Sequence, residues 1–373
     1  MIKITILMVL CLIFAQASEK HTRQCQARGL PYYARNDGAL WLLILALSLF
    51  SGLRTSYNDT WNYISGFRSA PGIAGFLADP ENLNPFKNPL FYFYQSILKD
   101  LTGNPQHLIF TTSVFSQVCF VRFFKRYSQN FTFTVFLYFT LGTFCFTLAA
   151  MKQVVAMSVL TLAFPALQQR RWGRYYLLVV IAMLFHTYAI AFAVLPLFTQ
   201  RPWSVFTYLF VSAMVVLMMN FEQVITEFME QANDLGKTLA DYELFDSHTI
   251  NVFRLFVYAV PPIISFVFQR WIIPESTRTN NILIHMSIIS LAFMSMGTQS
   301  GANMFGRMST YFELGTLCCL PDMMAATFEQ RSHNLVRGFA IAGFLGFFIY
   351  ANAINSSFDD GYRAISIFEL VFS

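Results

Sequence analysis

Hydrophobic residues run along this chain in long blocks, not at every second position and not as a one-sided helical stripe. Blocks fall at about 2 to 17, 39 to 53, 107 to 123, 131 to 149, 152 to 168, 175 to 198, 203 to 220, 252 to 270, 281 to 298, 307 to 324 and 337 to 353. A helix rises 1.5 Å per residue, so a block of about 17 to 20 apolar residues crosses the roughly 30 Å hydrocarbon core of a bilayer. The pattern therefore predicts an all-α polytopic bundle of about 10 to 11 membrane segments. One further apolar stretch, 89 to 101, is too short to span and is expected to lie along the interface.

Composition agrees. Of 373 residues, 55% are hydrophobic and only 12% charged, against about 25% charged in soluble domains. That excludes a cytosolic enzyme. The net charge of +5 raises nucleic-acid binding, but the cations cluster between apolar blocks, where orientation in a membrane accounts for them. Cys11, Cys25, Cys119, Cys145, Cys318 and Cys319 show neither CxxC nor Cys/His spacing, so neither a disulfide framework nor a metal site is expected. Residues 1 to 373 read as a single membrane domain. Its longest connections are 54 to 106, an outer loop carrying the interfacial helix, and 221 to 251, an outer loop holding seven acids.

Orientation follows from Lys and Arg in short loops. Lys20, Arg23, Arg28 and Arg35 place 18 to 38 inside and the N-terminus outside; Arg122, Lys125, Arg126, Arg170, Arg171 and Arg174 then also fall inside. A single span at 175 to 198 would put the acidic segment inside and Arg270, Arg278, Arg331 and Arg337 outside. A segment that enters, breaks near His186 and returns removes the conflict, leaving 15 of the 25 Lys and Arg inside. A plain tilted helix is the other reading of this segment. The first block also imitates a signal peptide, with Lys3 ahead of an apolar core and Ala15-Gln16-Ala17 after it; a retained helix fits the charges better.

Polar groups at membrane depth are costly and mark sites. Five places qualify: Arg54 with Asp59, Lys152 with Gln153, His186, Arg307 and Glu313. Three of them have a plain structural explanation. Arg54 and Lys152 can be interfacial cations that snorkel, and His186 a histidine bonded to a neighbouring helix. On the functional side, imidazole suits general-base work, and the small residues Gly301 to Gly306 before Arg307 allow close backbone approach. Glu313 has no partner readable from sequence. Arg54, Lys152, His186 and Arg307 all fall in the outer half of the membrane, an arrangement suited to a pyrophosphate leaving group.

These motifs together resemble the EpsG family of Wzy-like exopolysaccharide and O-antigen polymerases. The resemblance is carried by Gly52-Leu53-Arg54 with Asp59-Thr60 and Tyr63, by Asn88-Pro89-Leu90-Phe91, by Lys152-Gln153 with Ala156, by Phe185-His186 with Ala189, and by Arg307 with Tyr311-Phe312. The family usually has Arg-Gln where this chain has Lys152-Gln153, so the charge is kept without the planar fork.

The resemblance implies a metal-independent, inverting membrane glycosyltransferase of the integral-membrane class, without a cofactor, in the bacterial cytoplasmic membrane. It would join undecaprenyl-pyrophosphate-linked oligosaccharide repeat units into exopolysaccharide, capsule or O-antigen at the outer face. A chain-length regulator and other assembly proteins are expected partners. His186, Arg307 and Arg54 would be catalytic; Asp59, Thr60, Tyr63, Lys152, Gln153 and Tyr311 would bind substrate. A flippase for lipid-linked oligosaccharide and a glycan ligase are the competing readings.

Overall fold

The structure is a computed structural model that describes residues 1–221, 223, 249–299, 302–327, 330–354 and 358–372. Most of the acidic segment 221 to 251 lies outside the described residues, as does Gly301. Among the described residues the chain is helical almost throughout, and five helices are long and apolar enough to cross a membrane, or six if one bent pair counts as a span. Five shorter apolar helices occupy other predicted blocks. The helices gather into two compact units, residues 1–190 with 338–373, and residues 191–337.

In the first unit α1 (Ile2–Ala27) buries Ile4, Leu7, Met8, Cys11, Ala15 and Ser18, a stripe with the three-and-four spacing of one helix face. It packs on α2 (Gly38–Gly52), which packs on α6 (Pro105–Tyr127), which packs on α9 (Met151–Gln168). Between α2 and α6 come the short helices α3 (Thr60–Ser69) and α4 (Ile73–Ala78), then α5 (Pro89–Thr102), the predicted interfacial helix. Caps set the boundaries. Asp37 accepts the Leu40 N–H at 3.0 Å to start α2, and Asn104 accepts the Gln106 N–H at 2.9 Å to start α6, each satisfying an orphan donor of a helix N-terminus.

One block differs from the sequence expectation in shape and another meets it. The block at 131 to 149, read as one span, is α7 (Phe131–Thr140) and α8 (Thr143–Ala149), bent by 56°. Gly142 at the bend has φ +85°, which glycine adopts without penalty. In the block at 175 to 198, α10 (Trp172–Phe185) stops at His186, whose backbone is extended, and the chain continues from Thr187 as a 3-10 helix. The break expected near His186 is present.

The bundle also holds one short sheet. Strand β1 (Arg54–Ser56) pairs antiparallel with β2 (Arg363–Ala364), Arg54 opposite Ala364. The Ile365 N–H donates to the Leu53 carbonyl at 2.9 Å. Two strands suffice to pin the end of α2, though the sequence pattern shows neither.

The second unit contains α11 (Val205–Met219), α12 (Val252–Val267), α13 (Arg278–Met296) and α14 (Ala302–Thr327). Helices α13 and α14 cross closely: a Cβ added at Gly315 would lie 2.5 Å from the Met286 Cβ, and Ser290 and Ser309 hydroxyls meet at 2.9 Å. His285 is a satisfied core histidine, with Nε2 2.9 Å from the Thr207 hydroxyl and Nδ1 2.9 Å from the Asn281 carbonyl.

Candidate functional site

Gly52-Leu53-Arg54 is built by close helix packing. A Cβ on Gly52 would come 2.7 Å from Phe110 Cδ2 and 3.2 Å from its Cα, so only glycine lets α2 lie this near α6. Gln106 on α6 then donates to the Gly52 carbonyl at 2.8 Å and the Arg54 carbonyl at 3.0 Å. Together with the β pair, these bonds fix the backbone of Arg54.

The Arg54 side chain turns inward and is 1% exposed. Its Nη1 donates to the Ser51 carbonyl and, at 3.1 Å, to the Ser113 hydroxyl, while its Nε has no hydrogen-bond partner. It forms no ion pair among the described residues. A guanidinium does not give up its proton in proteins, so the group remains a cation at neutral pH. An isolated charge in such a place costs several kcal/mol unless an anion accompanies it.

Beside Arg54 lies a small polar crevice of about 10 Å³ lined by Ser113, Ser116, Gln117 and Thr147, enough for about one water. It leads into the bundle: Gln117 donates to Thr147 at 3.3 Å and accepts from the Tyr138 hydroxyl at 3.0 Å. The α6 positions 112, 113, 116 and 117 share one face, which explains why hydroxyls and an amide recur there within an apolar helix.

Lys152 is the reachable cation. It starts α9, whose N-cap Ala150 gives no side-chain bond, so backbone N–H groups and the ammonium stand at the same end, a favourable place for an anion. Its Nζ donates to the Tyr92 hydroxyl at 2.6 Å and lies 4.3 Å from the Tyr92 ring centroid. Gln153, next to it, is buried.

His186 owes its position to the Asn88-Pro89 motif. Asn88 takes φ +55° and precedes α5, with Pro89 at the first helical position, where its missing N–H costs nothing. The Asn88 side-chain oxygen accepts the Thr187 N–H at 3.1 Å, and the Thr187 hydroxyl donates to the Phe86 carbonyl at 3.0 Å. The end of α10 is thereby tied to the start of α5. The imidazole is half-buried, edge-on to the Tyr188 ring at 5.3 Å.

Arg54, Lys152 and His186 border common packing. Met151 lines the Arg54 crevice and also joins Ile64, Phe67, Phe91 and Leu108 in one apolar cluster, against which Tyr63 and Phe185 pack. Lys152 and His186 are the chain neighbours of Met151 and Phe185.

Other expected residues stand apart. Asp59 is exposed and makes no ion pair with Arg54, so it does not orient that guanidinium directly. Thr60 is fully buried and its hydroxyl donates to the Tyr57 carbonyl at 2.6 Å, closing a turn. Arg307 and Tyr311 belong to the second unit, on α14, the former half-buried and the latter buried.

The second unit supplies what sequence could not: a setting for Glu313. Arg254 Nη2 donates to the Tyr258 hydroxyl at 3.4 Å, and Tyr258 in turn hydrogen-bonds Glu313, which also feels the Arg254 charge. Arg254 was not singled out from sequence, because its partner lies in a different helix. Among the described residues no three His, Cys, Asp or Glu side chains converge as a metal site.

Comparison with known proteins adds one positive finding. A family model described as the EpsG family matches residues 39–366, nearly the whole chain. No curated protein and no solved structure matches.

Proposed function

The chain belongs to the EpsG family, a family of exopolysaccharide-polymerase type, and on that premise we propose that it polymerises lipid-linked oligosaccharide repeat units. The observation that carries this reading is the buried Arg54 cation, which makes no ion pair among the described residues, together with Lys152 at an uncapped helix start, next in the chain to the Met151 that lines the Arg54 crevice. That pairing suits a substrate that brings its own negative charge, and an undecaprenyl pyrophosphate does.

In this reading the growing glycan on its carrier is the donor and a fresh carrier-linked unit is the acceptor, at the outer face of the bacterial cytoplasmic membrane. His186 takes the proton from an acceptor hydroxyl as that oxygen attacks the anomeric carbon. The bond from that carbon to the pyrophosphate oxygen breaks with its electron pair, leaving undecaprenyl pyrophosphate and a new, inverted glycosidic bond. Lys152 contacts the departing phosphates. Arg54, turned inward here, contributes its positive field. Exposed Asp59 and Trp61, with Tyr63, meet sugar hydroxyls and faces. The reaction as drawn uses no metal.

The test is genetic. The gene is deleted in its host and complemented with wild type or His186→Ala at equal membrane abundance, and the surface glycan is resolved by size. Wild type is expected to restore a ladder of many repeats, and His186→Ala only single units at the outer surface. Single units trapped at the inner face in the deletion would favour a flippase, and a full ladder from His186→Ala would return His186 to a structural role.

A further inference from the structure

At the opposite end of α6 from Arg54 the first unit holds a second, larger cavity of about 780 Å³, within the range of small-molecule sites. Arg122, Lys125, Arg126 and Arg174 line it. From Gln106, which holds the Arg54 backbone, to Arg126 is 20 residues, or about 30 Å of helix. This cavity is therefore not part of the site already described.

The four cations are not equivalent. Lys125 is committed to the protein: its Nζ donates to the Ser18 hydroxyl at 2.7 Å and lies 3.9 Å from the Asp37 carboxylate. Arg122, Arg126 and Arg174 are exposed, and among the described residues none makes a hydrogen bond or ion pair. Orientation in a membrane requires only that such charges lie in these loops; it does not require three of them to rim one cleft. The lining also has an aliphatic part, Val118, Leu162, Pro165 and Leu178, in which Val118 and Leu178 stand one helical turn from Arg122 and Arg174. These positions are partly or fully exposed, where hydrocarbon chains rather than water would cover them.

We propose that this cavity seats one anionic membrane phospholipid, its phosphodiester held by Arg122, Arg126 and Arg174 and an acyl chain laid on the Leu162 wall. Guanidinium forks match phosphate oxygens, and basic pockets between membrane helices recognise such headgroups. A free phosphate would leave the aliphatic wall unused.

The full chain, purified in mild detergent, is equilibrated with phosphatidylglycerol or with phosphatidylcholine of the same acyl chains, and retained lipid is read by native mass spectrometry. Wild type should retain the anionic lipid about tenfold over the zwitterionic one. Arg122→Gln with Arg126→Gln and Arg174→Gln should lose that preference. Lysine at the same three positions keeps the charges that orient the helices and should cost only about threefold, which separates lost binding from faulty insertion. Leu162→Glu, which leaves every cation in place, should also abolish retention. Equal retention of both lipids by wild type, or unchanged selectivity in a correctly inserted glutamine variant, overturns the proposal. So does displacement of the phospholipid by millimolar inorganic phosphate, which would mark a soluble-anion site, or by an equimolar polyprenyl phosphate, which would mark a carrier site.

Discussion

The side-chain oxygen of Asn88 accepts the backbone N–H of Thr187 at 3.1 Å, joining two positions that are 99 residues apart. His186 stands one residue before that bond, so its backbone is held by a side chain at the start of another helix. Asn88→Gly keeps the left-handed backbone of φ +55° but removes the acceptor, at about 1 to 2 kcal/mol. Glycan chain length should fall sharply, whereas Asn88→Asp, which keeps an acceptor oxygen, should restore it. Matched membrane abundance and a sized glycan gel decide the point.

Arg54 should show opposite effects on stability and activity. Replacing an unpaired buried cation by an apolar side chain of similar reach removes a desolvation cost, so Arg54→Met is expected to raise or preserve the melting temperature of the detergent-solubilised protein while abolishing the glycan ladder. A large loss of stability would mean that the bonds to Ser51 and Ser113 outweigh the cost of the charge.

Gly52→Ala should do the reverse. The new methyl group meets Phe110 at 2.7 Å, and over-packing of this kind costs about 1 to 3 kcal/mol. The melting temperature is expected to drop, and Phe110→Ala in the same chain should recover part of the loss.

At the far end of the first unit, Asp37 is buried, which opposes its ionisation, but bonds from Ser18, the Leu40 N–H and Tyr32, with the Lys125 charge, outweigh that and hold its pKa below the ordinary carboxylate value. Its ionised form thus stabilises the fold at pH values above about 4, and the contribution fades as pH falls through that range. Asp37→Asn should be less stable than wild type at neutral pH, and the gap should close on acidification. Thermal unfolding measured across pH 3 to 7 checks the sign, where an unchanging gap would be the contrary result.

Buried Tyr258 and Glu313 and half-buried Arg254 form a polar set in the second unit. Breaking it from one side, as in Glu313→Leu, should cost about 1 to 3 kcal/mol, and Arg254→Met with Glu313→Leu together should cost less than the sum of the single changes. A double-mutant cycle on unfolding free energies measures the difference.

Helix positions were largely legible because a membrane imposes length and apolarity on each segment separately: the block at 107 to 123 became Pro105–Tyr127, and 152 to 168 became Met151–Gln168. The bend at Gly142 was not legible, since one glycine inside a Phe-rich run leaves the hydropathy unchanged. Pairings were not legible either. The bond from Asn88 to Thr187 and the contact of Tyr258 with Glu313 join residues far apart in sequence, and only packing brings them together. Five residues of spacing say nothing of whether Asp59 meets Arg54; in the fold Arg54 is buried and Asp59 exposed.

The two-stranded sheet carries a consequence for biosynthesis. Arg54 is pinned by Ala364 and Ile365, which leave the ribosome about 310 residues later. Helices form and insert as they emerge, yet the strand that fixes this cation can be added only when almost the whole chain has been made. The setting of Arg54 is therefore completed at the end of translation, and a chain interrupted before residue 364 would carry every helix of the bundle's early half without the strand that helps hold Arg54 in place.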